Sequence, residues 1–179
     1  MFTFQKNKNL YLAIGSTVVF ILYIIFFLRD ISSCFFIEDG NRSLGLSFYY
    51  TQEMVQNFFE IRNQEQLVCY NEFLIFWDII FAVIYTLMYS LWIALLLKKI
   101  ILLIIPVLAM ICDWAENYSE ILMLDMYLNS DLMSESLIMT GSGINSAKWI
   151  FFYLTYLIIL MGIIVKIKNY FKKNKKNLT

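Results

Sequence analysis

Four apolar runs dominate this chain and leave few folds open to it. Residues 10–28 carry no charge at all, and residues 73–97 are interrupted only by Asp78. Residues 100–124 are apolar as far as Cys112 and then take polar insertions, and residues 149–165 form the fourth run. A helix rises about 1.5 Å per residue, so runs of this length can cross a hydrocarbon core of about 30 Å. Lipid offers no partners to backbone N–H and C=O groups, so each crossing must be helical. With 60% apolar residues against about half in a soluble domain, the whole chain fits that reading. The fold class expected is an all-α integral membrane protein of one domain: four transmembrane helices in an antiparallel bundle.

The expected boundaries are a first membrane helix at 10–28, an outer helical loop at 29–72 and a second membrane helix at 73–97. A third follows at 100–124, then an outer loop at 125–147, a fourth helix at 148–167 and a lysine-rich tail at 168–179. Phe73, Phe76, Trp77, Trp114, Tyr118 and Trp149 crowd the ends of these runs, as residues of an interfacial aromatic belt do.

Charge orients the bundle. Lys6 and Lys8 precede the first run, Lys98 and Lys99 join the second to the third, and six lysines from Lys166 to Lys176 follow the fourth. These ten lysines share one side with no acidic residue. Arg29, Arg42, Arg62 and Lys148 lie among many acids on the other. The positive-inside rule places both termini in the cytoplasm, and the membrane expected is a cell inner membrane. The N-terminal run could also be read as a leader ending at the "ISSC" of residues 31–34. It is long for a leader, and Arg29 and Asp30 separate it from the cysteine, so a membrane helix is the better reading.

Between the first two helices, residues 51–73 contain neither Gly nor Pro. Met54, Phe58 and Ile61 recur at helical spacing, as do Leu67 and Tyr70, so short amphipathic helices are expected on the outer surface. The "DGNRSLG" of residues 39–45 is turn chemistry, and the "TGSGINS" of residues 140–146 reads as flexible loop. Cys34 and Cys69 both fall on the outer side, where a disulfide can form; pairing and two free thiols both stay open. Cys112 reads as a small buried hydrophobe.

The third run carries the chemistry. At 100° per residue, Pro106, Ala109, Asp113, Glu116, Asn117 and Glu120 fall within about 100° of arc and form one polar stripe. Asp78, Tyr85, Tyr89 and Leu96 form a second stripe, and Lys148, Thr155 and Gly162 a third. The two-lysine connection makes the second and third helices antiparallel neighbours, so residues whose numbers sum to about 197 lie at equal depth. Asp78, Tyr85, Tyr89, Asp113, Glu116 and Asn117 therefore converge in the outer half of the membrane, with Lys148 as the cation at the mouth. Glu120, and Lys148 with it, can also be read as sitting at the interface in water. Pro106 predicts a bend near residues 102–106.

A charged residue at mid-bilayer costs about 2.5–3.5 kcal/mol on insertion scales, so it usually faces a partner or a cavity. Crowded carboxylates suit proton exchange, cation binding or general acid chemistry. The plainer reading is interhelical glue, with hydrogen bonds of roughly 0.6–2 kcal/mol each. Three function classes follow: a small ligand-binding protein or transporter; a membrane enzyme with Glu116 or Asp113 as acid or base and Tyr85 as donor; and an accessory or pore-forming subunit. The absence of histidine removes His-based catalysis and His metal sites. No metal or cofactor is expected, and no nucleic acid. The partners expected are membrane lipid and, for a transporter of only four helices, further copies of the chain.

"DIIFAVIYTLMY" at residues 78–89, with Asp followed seven residues later by Tyr, and "IPVLAMICDWAEN" at residues 105–117, with Pro before D-x-x-E-N, carry a resemblance. Together with "AKW" at residues 147–149, they make residues 48–165 similar to a family of small, uncharacterised four-helix bacterial membrane proteins. Ala82 stands where such relatives often have proline. The resemblance implies the site and no particular activity.

Overall fold

The computed structural model of the chain describes residues 2–37, 43–129 and 132–176. Among them there is no strand. The proposed turn at residues 39–42 lies outside the described residues; its continuation, Leu44–Leu46, is a single 3-10 turn.

The first helix, α1 (Phe2–Tyr23), passes through a π-helical turn (Ile24–Leu28) into the short α2 (Arg29–Ser32). After the 3-10 turn come two helices whose starts are written in the sequence. Thr51 caps α3 (Gln52–Glu60) by accepting the Met54 N–H at 3.3 Å. Asn63 and Gln66 form a capping box at the head of α4 (Gln64–Glu72), with bonds of 3.0 and 2.9 Å. The chain then runs unbroken through a second π-helical turn (Phe73–Trp77) into α5 (Asp78–Leu97). Lys98 ends α5 in the left-handed conformation (φ 55°), its N–H bonded to Ala94 O. A 3-10 turn (Ile100–Leu103) leads into α6 (Ile104–Leu128), and α7 spans Glu135–Lys176.

Four of these stretches, Lys8–Ser32, Gln64–Leu97, Ile100–Leu128 and Glu135–Lys172, are long and apolar enough to cross a membrane. They are longer than the apolar runs because polar helix continues beyond the apolar part. This corrects the outer loop at 125–147: helix persists to Leu128 and resumes at Glu135, so "TGSGINS" is helical, within α7. Gly141 lies against Tyr50 and Ser119, and Asn145 donates to Ser47 O at 2.7 Å, so small residues here allow close packing instead of flexibility. The bend expected at Pro106 also reads differently. The proline sits in the first turn of α6, where its missing N–H has no intrahelical acceptor to lose, and the chain changes there from 3-10 to α winding.

Packing divides into two regions. Phe35, Val55, Phe58, Phe59, Leu67 and Tyr70 form a core with Met123, Leu124 and Ile138. So α3 and α4 fold inward over the ends of α6 and α7 instead of lying flat on a surface. Arg62 is buried in this core. Its guanidinium donates to Phe35 O (2.9 Å) and Phe58 O (2.6 Å) and lies 3.5 Å from the Phe58 ring centre. Burial lowers its affinity for the proton from the usual arginine value. Cys34 and Cys69 are joined by a disulfide that ties the end of the first helix to α4.

The second region is the helix bundle. There α1 packs mainly on α5, and α7 packs on both α6 and α5. Phe20 stacks on Phe81 at 5.6 Å, Tyr23 OH donates to Trp77 O (2.8 Å), and Trp92 Nε1 donates to Thr17 (2.9 Å). The outward faces of α1 and α7 are exposed Leu, Ile, Val and Phe, far more apolar surface than a soluble domain leaves uncovered.

Candidate functional site

Three helices and one loop carbonyl build the polar site. Helix α6 supplies Asp113, Glu116, Asn117 and Glu120, all buried on its inward face together with Pro106 and Ala109. Helix α5 brings Asp78, Tyr85 and Tyr89, and α7 brings Lys148. The lysine connection fixes the pairing in depth. Asn117 Nδ2 donates to Asp78 Oδ2 at 2.8 Å, and Tyr85 OH donates to Asp113 Oδ2 at 2.9 Å. Those residue numbers sum to 195 and 198, close to the register of 197 expected from a turn at residues 98 and 99.

Lys148 sits at the centre of the group. It is 5% exposed, so it is not at the mouth of the site and not in interfacial water. Its ammonium donates to Glu116 Oε2, pairs with Asp113 Oδ1 at 3.2 Å and donates to Gly45 O at 3.1 Å. Two hydrogen bonds and a second ion pair thus hold the ammonium. Gly45 is required for this approach: a Cβ there would lie 2.9 Å from Glu116 Oε1 and 3.2 Å from Lys148 Nζ. Trp149 Nε1 also donates to Gly45 O (3.2 Å), and its ring lines the cleft described below.

Glu116 and Glu120 are 0% and 1% exposed. Glu120, expected in interfacial water, is covered because α4 closes over it: Tyr70 OH donates to its Oε2, and Ser43 lies 3.3 Å from the same phenol. The two glutamates are one helical turn apart, and the Oε1 of each is buried with no hydrogen-bond partner. Tyr50, on the loop before α3, is buried beside them, and its phenol has no hydrogen-bond partner. Burial first, then the charges of Glu120 and Glu116, push the Tyr50 hydroxyl far above the usual phenol range.

Beside this group lies a half-open cavity of about 790 Å³. Asp78, Asp113, Asn117 and Lys148 face it from one side. Phe20, Phe81, Tyr85, Tyr89, Phe152 and Tyr156 supply much of its wall. Its walls come from α1, α5 and α7, with α6 at its polar side and residues 35–36 and 43–46 at one end; α1 does not pack broadly on α7, so the cavity is a cleft between the first and last helices. Tyr89 closes its inner end, its hydroxyl 3.0 Å from that of Tyr156. Six of the seven expected residues line the cleft. Glu116 does not; it lies behind Lys148.

Tyr70, Tyr50, Gly45, Trp149 and Tyr156 were not legible as site residues. Tyr70 reads as one more apolar position of an outer helix, and nothing local marks Gly45 as the partner of a residue 103 positions away. Glu120 did carry a signal, since it shares the stripe of Glu116. Among the described residues, no three His, Cys, Asp or Glu side chains are placed to hold one metal ion. Comparisons with protein-family models, curated proteins and solved structures found no match for the chain.

Proposed function

We propose that the chain is a multi-pass membrane protein that binds a small amphipathic molecule in the cleft between its first and last helices, as a ligand-binding protein or transporter. The cleft is the observation that carries this reading. Its volume lies in the range of small-molecule sites, and its mostly aromatic walls converge on a few polar groups, as such sites do. Interhelical glue alone would leave the polar stripes packed against one another; here Asp78, Asp113, Asn117 and Lys148 border open space. A gap between two helices whose outer faces are apolar also suits entry from the lipid.

The orientation proposed has both termini in the cytoplasm. Ten lysines lie on that side, and the Cys34–Cys69 disulfide on the other suits an oxidising compartment. The resemblance to small four-helix bacterial membrane proteins, and with it an inner-membrane location, enters as part of the same proposal. A four-helix transporter would work as a homo-oligomer.

Native mass spectrometry of the full chain in a mild detergent tests the cleft. A small amphipathic molecule should be retained, and Ser32→Trp, which places a large ring in the cleft wall, should release it without changing the elution volume. Retention equal in both proteins would overturn the reading.

A further inference from the structure

The charges around the cleft say which end of an amphipathic molecule belongs there. The Lys148 ammonium donates to Gly45 O and Glu116 Oε2 and is ion-paired with Asp113 Oδ1, so two carboxylates already answer its charge. With two carboxylates against it, it offers little net attraction to a phosphate, sulfate or carboxylate. Asp113 is likewise engaged on both oxygens, by Lys148 and Tyr85. The Asn117 amide is turned to Asp78 Oδ2 at 2.8 Å and to Leu74 O at 3.4 Å.

Asp78 differs from all of these. It lines the cleft, it is half-buried, and among the described residues its one hydrogen-bond partner is Asn117, which takes a single oxygen. Among the described residues no cation pairs with its second oxygen. Asp113 and Glu116 already take the ammonium of Lys148, and Asp78 is ion-paired with nothing among the described residues, so this end of the cleft is short of positive charge. The rings of Phe81, Tyr85 and Phe152 pack edge to face on one another and line the same cleft as Asp78. Aromatic faces attract cations as well as alkyl chains. Arg29 also lines the cleft, but it lies six residues beyond Tyr23, the α1 residue that feels the Asp78 charge, or about 9 Å outward along the helix.

We propose that the cleft selects a lipid-like primary amine, with its protonated amino group on Asp78 and its alkyl chain along Phe20, Phe81 and Phe152. This rests on the cleft being a ligand site and adds the chemistry of the ligand. The amine supplies the cation that the site lacks, and the chain replaces water on aromatic walls. A free metal ion would find too few ligands, since no three carboxylates converge on one point.

Trp149 lines the cleft, so its fluorescence reports occupancy in the full chain in a neutral detergent, with Trp149→Phe as the blank. The probes are n-decylamine, n-decanol and sodium decanoate, which share a chain and differ in the head. Decylamine should bind tightest. Asp78→Asn should weaken it by roughly 30-fold or more, the scale for removing one partner of a desolvated charge pair, and leave decanol unchanged. Asp78→Glu should keep the preference. Equal binding of all three probes would overturn the amine assignment and leave the cleft as a ligand site. Binding of none would overturn both. A decylamine preference that survives Asp78→Asn would remove Asp78 from the role. The comparison among probes needs no variant, so a folding defect in Asp78→Asn does not rescue the proposal.

Discussion

Asp113 holds two partners from two different helices, Tyr85 of α5 and Lys148 of α7. Its replacement separates a binding role from a structural one. Asp113→Asn keeps the shape and a carbonyl acceptor, so the protein should fold, while ligand retention in the cleft should fall. Asp113→Leu orphans both partners in a buried site, where an unsatisfied group costs about 1–3 kcal/mol and a charged one more. That variant should lower the unfolding temperature in detergent sharply. A mild effect of both substitutions on ligand retention, with loss of stability only in Asp113→Leu, would assign the stripe to assembly alone. The same residue shows why an intramembrane carboxylate is informative: a chain that places one in hydrocarbon must also place its partner, and here the partners lie 28 and 35 positions away.

At the scale of elements, the helices meet through small residues. Gly162 of α7 faces Leu96 of α5, and a Cβ at that position would lie 2.8 Å from the Leu96 Cβ, a backbone-fixed atom that cannot swing aside. Gly162→Ala should therefore cost about 1–3 kcal/mol, the range for overpacking, measured as a lower midpoint of thermal unfolding. The same stripe carries Thr155, fully buried, and Lys148, so α7 turns its three inward positions to one face. The connection between α5 and α6 stores a small strain. Lys98 adopts φ 55°, a conformation that costs an L-residue about 1 kcal/mol or more relative to glycine. Lys98→Gly should raise the unfolding midpoint slightly while leaving the cleft intact.

At the scale of the whole molecule, the proposed topology and the disulfide are tested together. Glu60 and Asn169 are exposed on opposite ends of the fold. A cysteine at Glu60 should react with membrane-impermeant thiol reagents in intact cells, and one at Asn169 should not; the reverse pattern would invert the orientation. The Cys34–Cys69 bridge closes a loop of 35 residues that includes the outer end of the cleft. Replacing both cysteines by serine should lower stability by about 2–4 kcal/mol, read as an unfolding midpoint that no longer responds to reductant.

The sequence by itself determined the four long apolar helices and the polar stripe that α5, α6 and α7 each turn inward, though not the helix that begins at Glu135. Those properties depend on local periodicity: uncharged runs of spanning length, and polar residues recurring every three or four positions, as in Asp113, Glu116, Asn117 and Glu120. A tight connection at Lys98–Lys99 even set the depth at which Asp78 meets Asn117. Only the tertiary structure decided how the faces closed. That Lys148 lies inside the site and not at its mouth, that Glu120 is sealed from water by Tyr70, and that Trp149 bonds Gly45 all depend on contacts across 50 to 104 positions. Such contacts are set by which helices pack together and which do not. The cleft itself exists because α1 leans on α5 and stands apart from α7, and no local pattern in either helix encodes that gap.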